Sequence, residues 1–161
     1  MKNSYIRILL VLTLIFIWLG TKSTSVLAAG DCNGTSCNGL DPAAKHCPAV
    51  TSGAIKILPD GASTAETRVS SSSDCNAKWA RVYNKSGVYA WAAADLKCGT
   101  NFPSCRFVAS PAKIASSSTI GIYTTMQAFA STPTRSCGNV RSDPGPITSI
   151  SLSTNWCTGT N

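Results

Sequence analysis

Eight cysteines, Cys32, Cys37, Cys47, Cys75, Cys98, Cys105, Cys137 and Cys157, constrain this chain more than any other feature. The set is even, and every member lies downstream of an N-terminal stretch that reads as an export signal. In an oxidising compartment such a set predicts four disulfides rather than a metal or redox motif. All eight are therefore disulfide candidates. That expectation bounds compartment, size class and stabilising strategy, but names no reaction.

Residues 1–28 divide as a signal peptide should. Lys2 and Arg7 give a positive start, residues 8–19 are apolar apart from Thr13, and Val26-Leu27-Ala28 offers small residues for cleavage. The apolar run is shorter than the ~20 residues of a membrane span, so no stable membrane anchor is expected once the signal is removed. Asp31 separates the small residues from Cys32 and so argues against lipoprotein processing, and no C-terminal anchor is recognised. The expectation is one secreted, extracellular β domain over residues 29–161.

Cleavage after Ala28 leaves 133 of the 161 residues. Of fourteen basic residues, Lys2, Arg7 and Lys22 depart with the signal, leaving eleven against seven acidic ones, a net charge of +4. Ser, Thr, Ala and Gly dominate the remainder, so the core is small and the bridges matter to stability. Along the sequence the charges are scattered, with Lys78 and Arg81 the nearest to a basic pair. Nucleic-acid binding usually draws on a clustered basic face, so no nucleic-acid partner is expected.

Residues 31–48 are turn-dense, with Asp41 capping a single helical turn that starts at Pro42. An extended pattern follows. Residues 54–58 are short and apolar ahead of the turn Pro59-Asp60-Gly61, and residues 66–70 read as a strand. Residues 77–83 alternate and predict a strand, a short helix after Asp74 being the alternative. The turn at 84–87 predicts a hairpin into the run 88–95, with Tyr83 close to Val88. A cysteine-bounded loop at 98–105 leads to a strand at 106–108, and residues 119–130, 135–140 and 147–156 read as further strands. Short strands between Gly, Pro and Ser turns indicate an all-β antiparallel sandwich or barrel with a turn-rich N-terminal segment.

Two stretches carry a family resemblance. The first is Cys32-x4-Cys37-Asn38-Gly39-Leu40-Asp41-Pro42-x4-Cys47; the second is Arg68-x-Ser70 followed by Cys75-Asn76-Ala77-Lys78-Trp79-Ala80-Arg81-Val82. Together they resemble the YjfA-like family of small secreted Gram-positive bacterial proteins of unknown function, over about residues 31–95. The resemblance implies export, a β fold and a self-contained first set of four cysteines. It carries no catalytic residues. If each half pairs within itself, Cys98–Cys105 and Cys137–Cys157 are favoured, with Cys37–Cys75 or Cys47–Cys75 tethering the opening segment.

Catalytic signals are sparse. His46 is the single histidine, and it sits beside Cys47 with no nucleophile elbow in the chain. Zinc held by Cys32, Cys37, His46 and Cys47 has suitable ligand types but not the spacing of a zinc pair. A glycosidase needs two carboxylates across a cleft, and the candidates Asp31, Asp41, Asp60, Glu66, Asp74, Asp95 and Asp143 mostly occupy turn or cap positions. No catalytic residue, metal or cofactor is therefore assigned.

The aromatics offer more. Trp79 reads as a core anchor, while Tyr89, Trp91 and Trp156 are the candidate binding aromatics, Trp156 also being placed to pack on a disulfide. The function expected is a non-enzymatic binding module (an envelope-binding, inhibitor or toxin-like factor) acting on a cell-envelope polymer or a protein partner. The alternative is a secreted hydrolase with an unrecognised carboxylate site.

Overall fold

The structure is a computed structural model that describes residues 30–49, 51–71, 73–98, 105–142 and 156–160, without the side chains of Thr51, Ser52 and Cys105. The expected signal peptide, most of the 98–105 loop, residues 147–155 and Asp143 lie outside the described residues. A 3-10 turn, η1 (Gly34–Cys37), precedes nine strands: β1 (Thr51–Ile57), β2 (Thr64–Ser70), β3 (Ala77–Tyr83), β4 (Ala90–Cys98), β5 (Cys105–Val108), β6 (Ala112–Ile114), β7 (Gly121–Tyr123), β8 (Gln127–Ala128) and β9 (Thr134–Arg141). All described pairings are antiparallel, in two sheets.

Each sheet is organised around one strand. β3 pairs along its whole length with β2, from Thr64↔Tyr83 to Ser70↔Ala77, and β1 extends beyond β2. On its other edge β3 takes β7 and β8 in line. In the second sheet β4 pairs with β9 from Trp91↔Arg141 to Cys98↔Thr134, and its other edge takes β6 and β5 in line.

Period-two patterning sets the faces. Ala80 and Val82 of β3 turn inward toward Ala92, Ala94 and Leu96 of β4, and Leu58, Ala65 and Ala109 complete this core between the sheets. Alanine dominates it, so the sheets approach closely. Where β9 crosses the core, a Cβ on Gly138 would stand 2.5 Å from the Val82 side chain, leaving room only for glycine. Beside it the buried hydroxyls of Thr67 and Ser136 hydrogen bond at 2.7 Å, one from each sheet.

Two satellite clusters sit on the outer faces. On the first sheet the N-terminal segment covers Ala77 and Trp79, with Cys32, Cys37, Cys47, Cys75 and Met126 buried alongside. On the second, Cys137 and Cys157 pack with Ala93 and Trp91. Trp79 is thus buried, as expected of a large aromatic, but in the satellite cluster rather than between the sheets.

Three sequence expectations change. β3 and β4 do not form a hairpin across residues 84–87; they belong to different sheets, and the chain arches between them. Asn84, fully buried, makes the arch, its Nδ2 donating to Val88 O at 2.8 Å and Ile114 O at 2.9 Å. The strand expected over 119–130 divides into β7 and β8, because Met126 turns into the N-terminal cluster and exchanges backbone bonds with Gly39 and Leu40. β6, which pairs with the start of β4, has no counterpart in the sequence reading.

Candidate binding face and sulfur clusters

The described bridges are Cys32–Cys37, Cys47–Cys75 and Cys137–Cys157. Cys47–Cys75 and Cys137–Cys157 agree with expectation. Cys37–Cys75 does not form: η1 folds Cys37 back onto Cys32, which leaves Cys75 to Cys47. Cys98 is also disulfide-bonded. β5 puts Cys105 opposite Cys98 in register, while the Cys105 side chain, and with it the expected Cys98–Cys105 bridge, lies outside the described residues.

The N-terminal cap is locally encoded. Asp41 Oδ1 accepts from Ala43 N at 2.7 Å and Ala44 N at 3.1 Å, so the single turn beginning at Pro42 forms as its residues require. That turn delivers Cys47 to Cys75.

Directly opposed residues of an antiparallel pair share a face, and on the outer face of the second sheet this gathers basic residues from four strands. Lys113, Trp91 and Arg141 form one row; Arg106, Lys97 and Arg135 form another. Five of the eleven basic residues outside the expected signal therefore stand on one sheet face, although no two are neighbours in sequence. Asp95, between the rows, is the acidic residue of β4 on that face. It is fully buried and accepts from Arg106 Nε at 2.7 Å, with Lys97 Nζ at 3.7 Å from the same oxygen. Burial lowers the Lys97 pKa and Arg106 adds to that, while Asp95 acts to raise it. Lys97 Nζ, Asp95 Oδ1 and Asn139 Oδ1 are buried with no hydrogen-bond partner. Lys113, Arg106 and Arg141 are exposed.

The candidate aromatics separate. Trp91 is half-buried at the centre of the upper row and packs against the Cys137–Cys157 cluster, the place expected for Trp156. Trp156 is half-buried next to Cys157, and Tyr89, 64% exposed, precedes β4. Trp91 belongs to the basic face, and Trp156 adjoins Cys157, which is bridged to Cys137 of β9. The cationic members of that face were not foreseen, since their only advance signal in the sequence is period-two placement in four separate strands.

Among the described residues the carboxylates do not assemble. Asp41 and Asp60 accept from turn amides, Asp74 from the Ser71 hydroxyl, and Glu66 meets Arg68 at 3.4 Å. A cavity of about 430 Å³ between β5 and β7 is lined by Val108, Ala109, Ser110 and residues 121–125, with Asp41 its single carboxylate. His46 Nδ1 lies 2.9 Å from Asp31 Oδ2 on an exposed loop, away from the sulfurs. Zinc on Cys32, Cys37, His46 and Cys47 is therefore not the set the fold brings together; Cys75 stands in place of the histidine.

Compared with known proteins, the chain matches no family model, no curated protein and no solved structure.

Proposed function

We propose that this chain is a secreted, non-enzymatic binding module whose basic outer face on the second sheet takes an anionic polymer of the bacterial cell envelope. The observation that carries the reading is the pair of rows Lys113–Trp91–Arg141 and Arg106–Lys97–Arg135. A repeating anion meets several cations at once there, and a half-buried indole offers a surface for stacking. The signal-like N-terminus, the bridges and the resemblance of residues 31–95 to exported YjfA-like proteins all support an extracellular setting. A carboxylate hydrolase gains no support from the cavity, whose lining among the described residues holds one carboxylate.

The test is co-sedimentation of the mature protein with purified Gram-positive walls, before and after chemical removal of their anionic polymers. Binding should fall on removal and with rising salt. The variant Arg106→Gln/Lys113→Gln/Arg141→Gln should lose it while keeping its far-ultraviolet spectrum. Retention by stripped walls, salt-insensitive binding, or tighter binding to duplex DNA than to walls would each overturn the proposal.

A further inference from the structure

The sulfurs of Cys32, Cys37, Cys47 and Cys75 all lie within 4.8 Å of one another, and all four residues are buried. Cys32 Sγ and Cys47 Sγ, from different bridges, are 3.8 Å apart. A tetrahedral zinc thiolate has Zn–S distances of about 2.3 Å and hence sulfurs about 3.8 Å apart. The non-bonded pair already has that spacing. Opening each bridge moves its two sulfurs apart by less than the length of a bond.

Hydrogen bonds as well as the bridges join the segments that carry these sulfurs. Gly34 N donates to Cys75 O at 2.9 Å, and Asn33 Nδ2 to Asp74 O at 2.7 Å, which joins η1 to the loop before β3. Asp31 N donates to Lys45 O, closing the turn that carries Cys47. Gly39 and Leu40 exchange backbone bonds with Met126, and Asn38 Oδ1 accepts from Ala128 N. Trp79 and Met126 form the apolar floor. None of these hydrogen bonds uses a sulfur, so opening the bridges removes none of their donors or acceptors.

We infer that the thiol form of this chain, as it exists before its bridges are made, binds one zinc ion through Cys32, Cys37, Cys47 and Cys75. Binding displaces four protons and leaves a tetrathiolate centre of charge −2, which clamps the N-terminal segment onto Trp79 as the bridges do after oxidation. The inference is independent of the basic face, which lies on the other sheet.

The experiment uses the mature chain under anaerobic conditions. A water-soluble phosphine opens each bridge to two thiols, taking oxygen from water to become the phosphine oxide. One equivalent of zinc chloride is added, free thiols are trapped with iodoacetamide over time, and the peptides are mapped. Alkylation of Cys32, Cys37, Cys47 and Cys75 should slow by roughly tenfold or more, with Cys98, Cys105, Cys137 and Cys157 unchanged. Cobalt(II) in place of zinc should give the visible bands of a tetrahedral tetrathiolate, lost in Cys75→Ser and kept in His46→Ala. Equal protection of all eight cysteines, no protection, or loss of the bands in His46→Ala overturns it.

Discussion

Asn84 does at one position what a turn sequence ordinarily does over four. Besides donating to Val88 and Ile114, it accepts from Ser86 N at 3.1 Å and Ser86 Oγ at 2.7 Å through Oδ1. Asn84→Ala removes the partner of Val88 O, Ile114 O and Ser86 N in part-buried bonds, each lost hydrogen bond costing about 1–3 kcal/mol. Urea denaturation should show a loss of roughly 2–4 kcal/mol, far above an ordinary surface substitution. Lys78 makes a different residue-scale prediction. Burial lowers its pKa below the ordinary 10.5, although Nζ donates to Thr132 O at 3.2 Å. The unfolded chain therefore binds this proton more tightly than the folded one. The penalty is fully present below the folded pKa and fades as pH rises from that value toward 10.5. Stability measured between pH 7 and 10.5 should climb by less in Lys78→Met than in the parent, with other titrating groups common to both.

Among the elements, β3 was legible to the residue, because its alternating small and aromatic side chains suit one covered face and one core face. The turn at Pro59-Asp60-Gly61 was legible for the same local reason: Gly61 adopts φ of +77° and Asp60 caps the following amides. The β3–β4 connection was not. A hairpin and an arch place turn residues alike, and what separates them is which sheet receives β4. Its Ala92, Ala94 and Leu96 fill the space opposite β3, a packing demand rather than a turn preference. The sheets also share a polar contact that tests their pairing. Thr67→Val and Ser136→Ala each orphan the other's buried hydroxyl and should lose about 1–3 kcal/mol apiece. The double variant should lose less than their sum, since it removes both partners; strict additivity in a denaturation cycle would show that the two hydroxyls do not interact.

At the scale of the molecule, an alanine-rich core is extended by two sulfur-bearing clusters on opposite outer faces. Cys137–Cys157 anchors the chain end to β9 across 20 residues, and replacing both by serine should lower stability by about 3 kcal/mol in urea titration. The bonds from Thr158 N to Ser136 O, from Ser136 N to Thr158 Oγ1 and from Arg135 Nε to Thr160 Oγ1 then hold the segment after Cys157.

Composition and turn chemistry carried the all-β class and most strand positions, because these follow from backbone preferences and from which residues can be buried. The basic face and the four-sulfur cluster were decided by tertiary structure alone. Strand pairing brings Arg106, Lys113 and Arg141 beside Trp91 and Lys97 from positions far apart in the chain, and η1, by folding Cys37 onto Cys32, decides between the two expected partners of Cys75. Local sequence encodes which way a side chain faces. Only the register between strands determines which side chains it faces with.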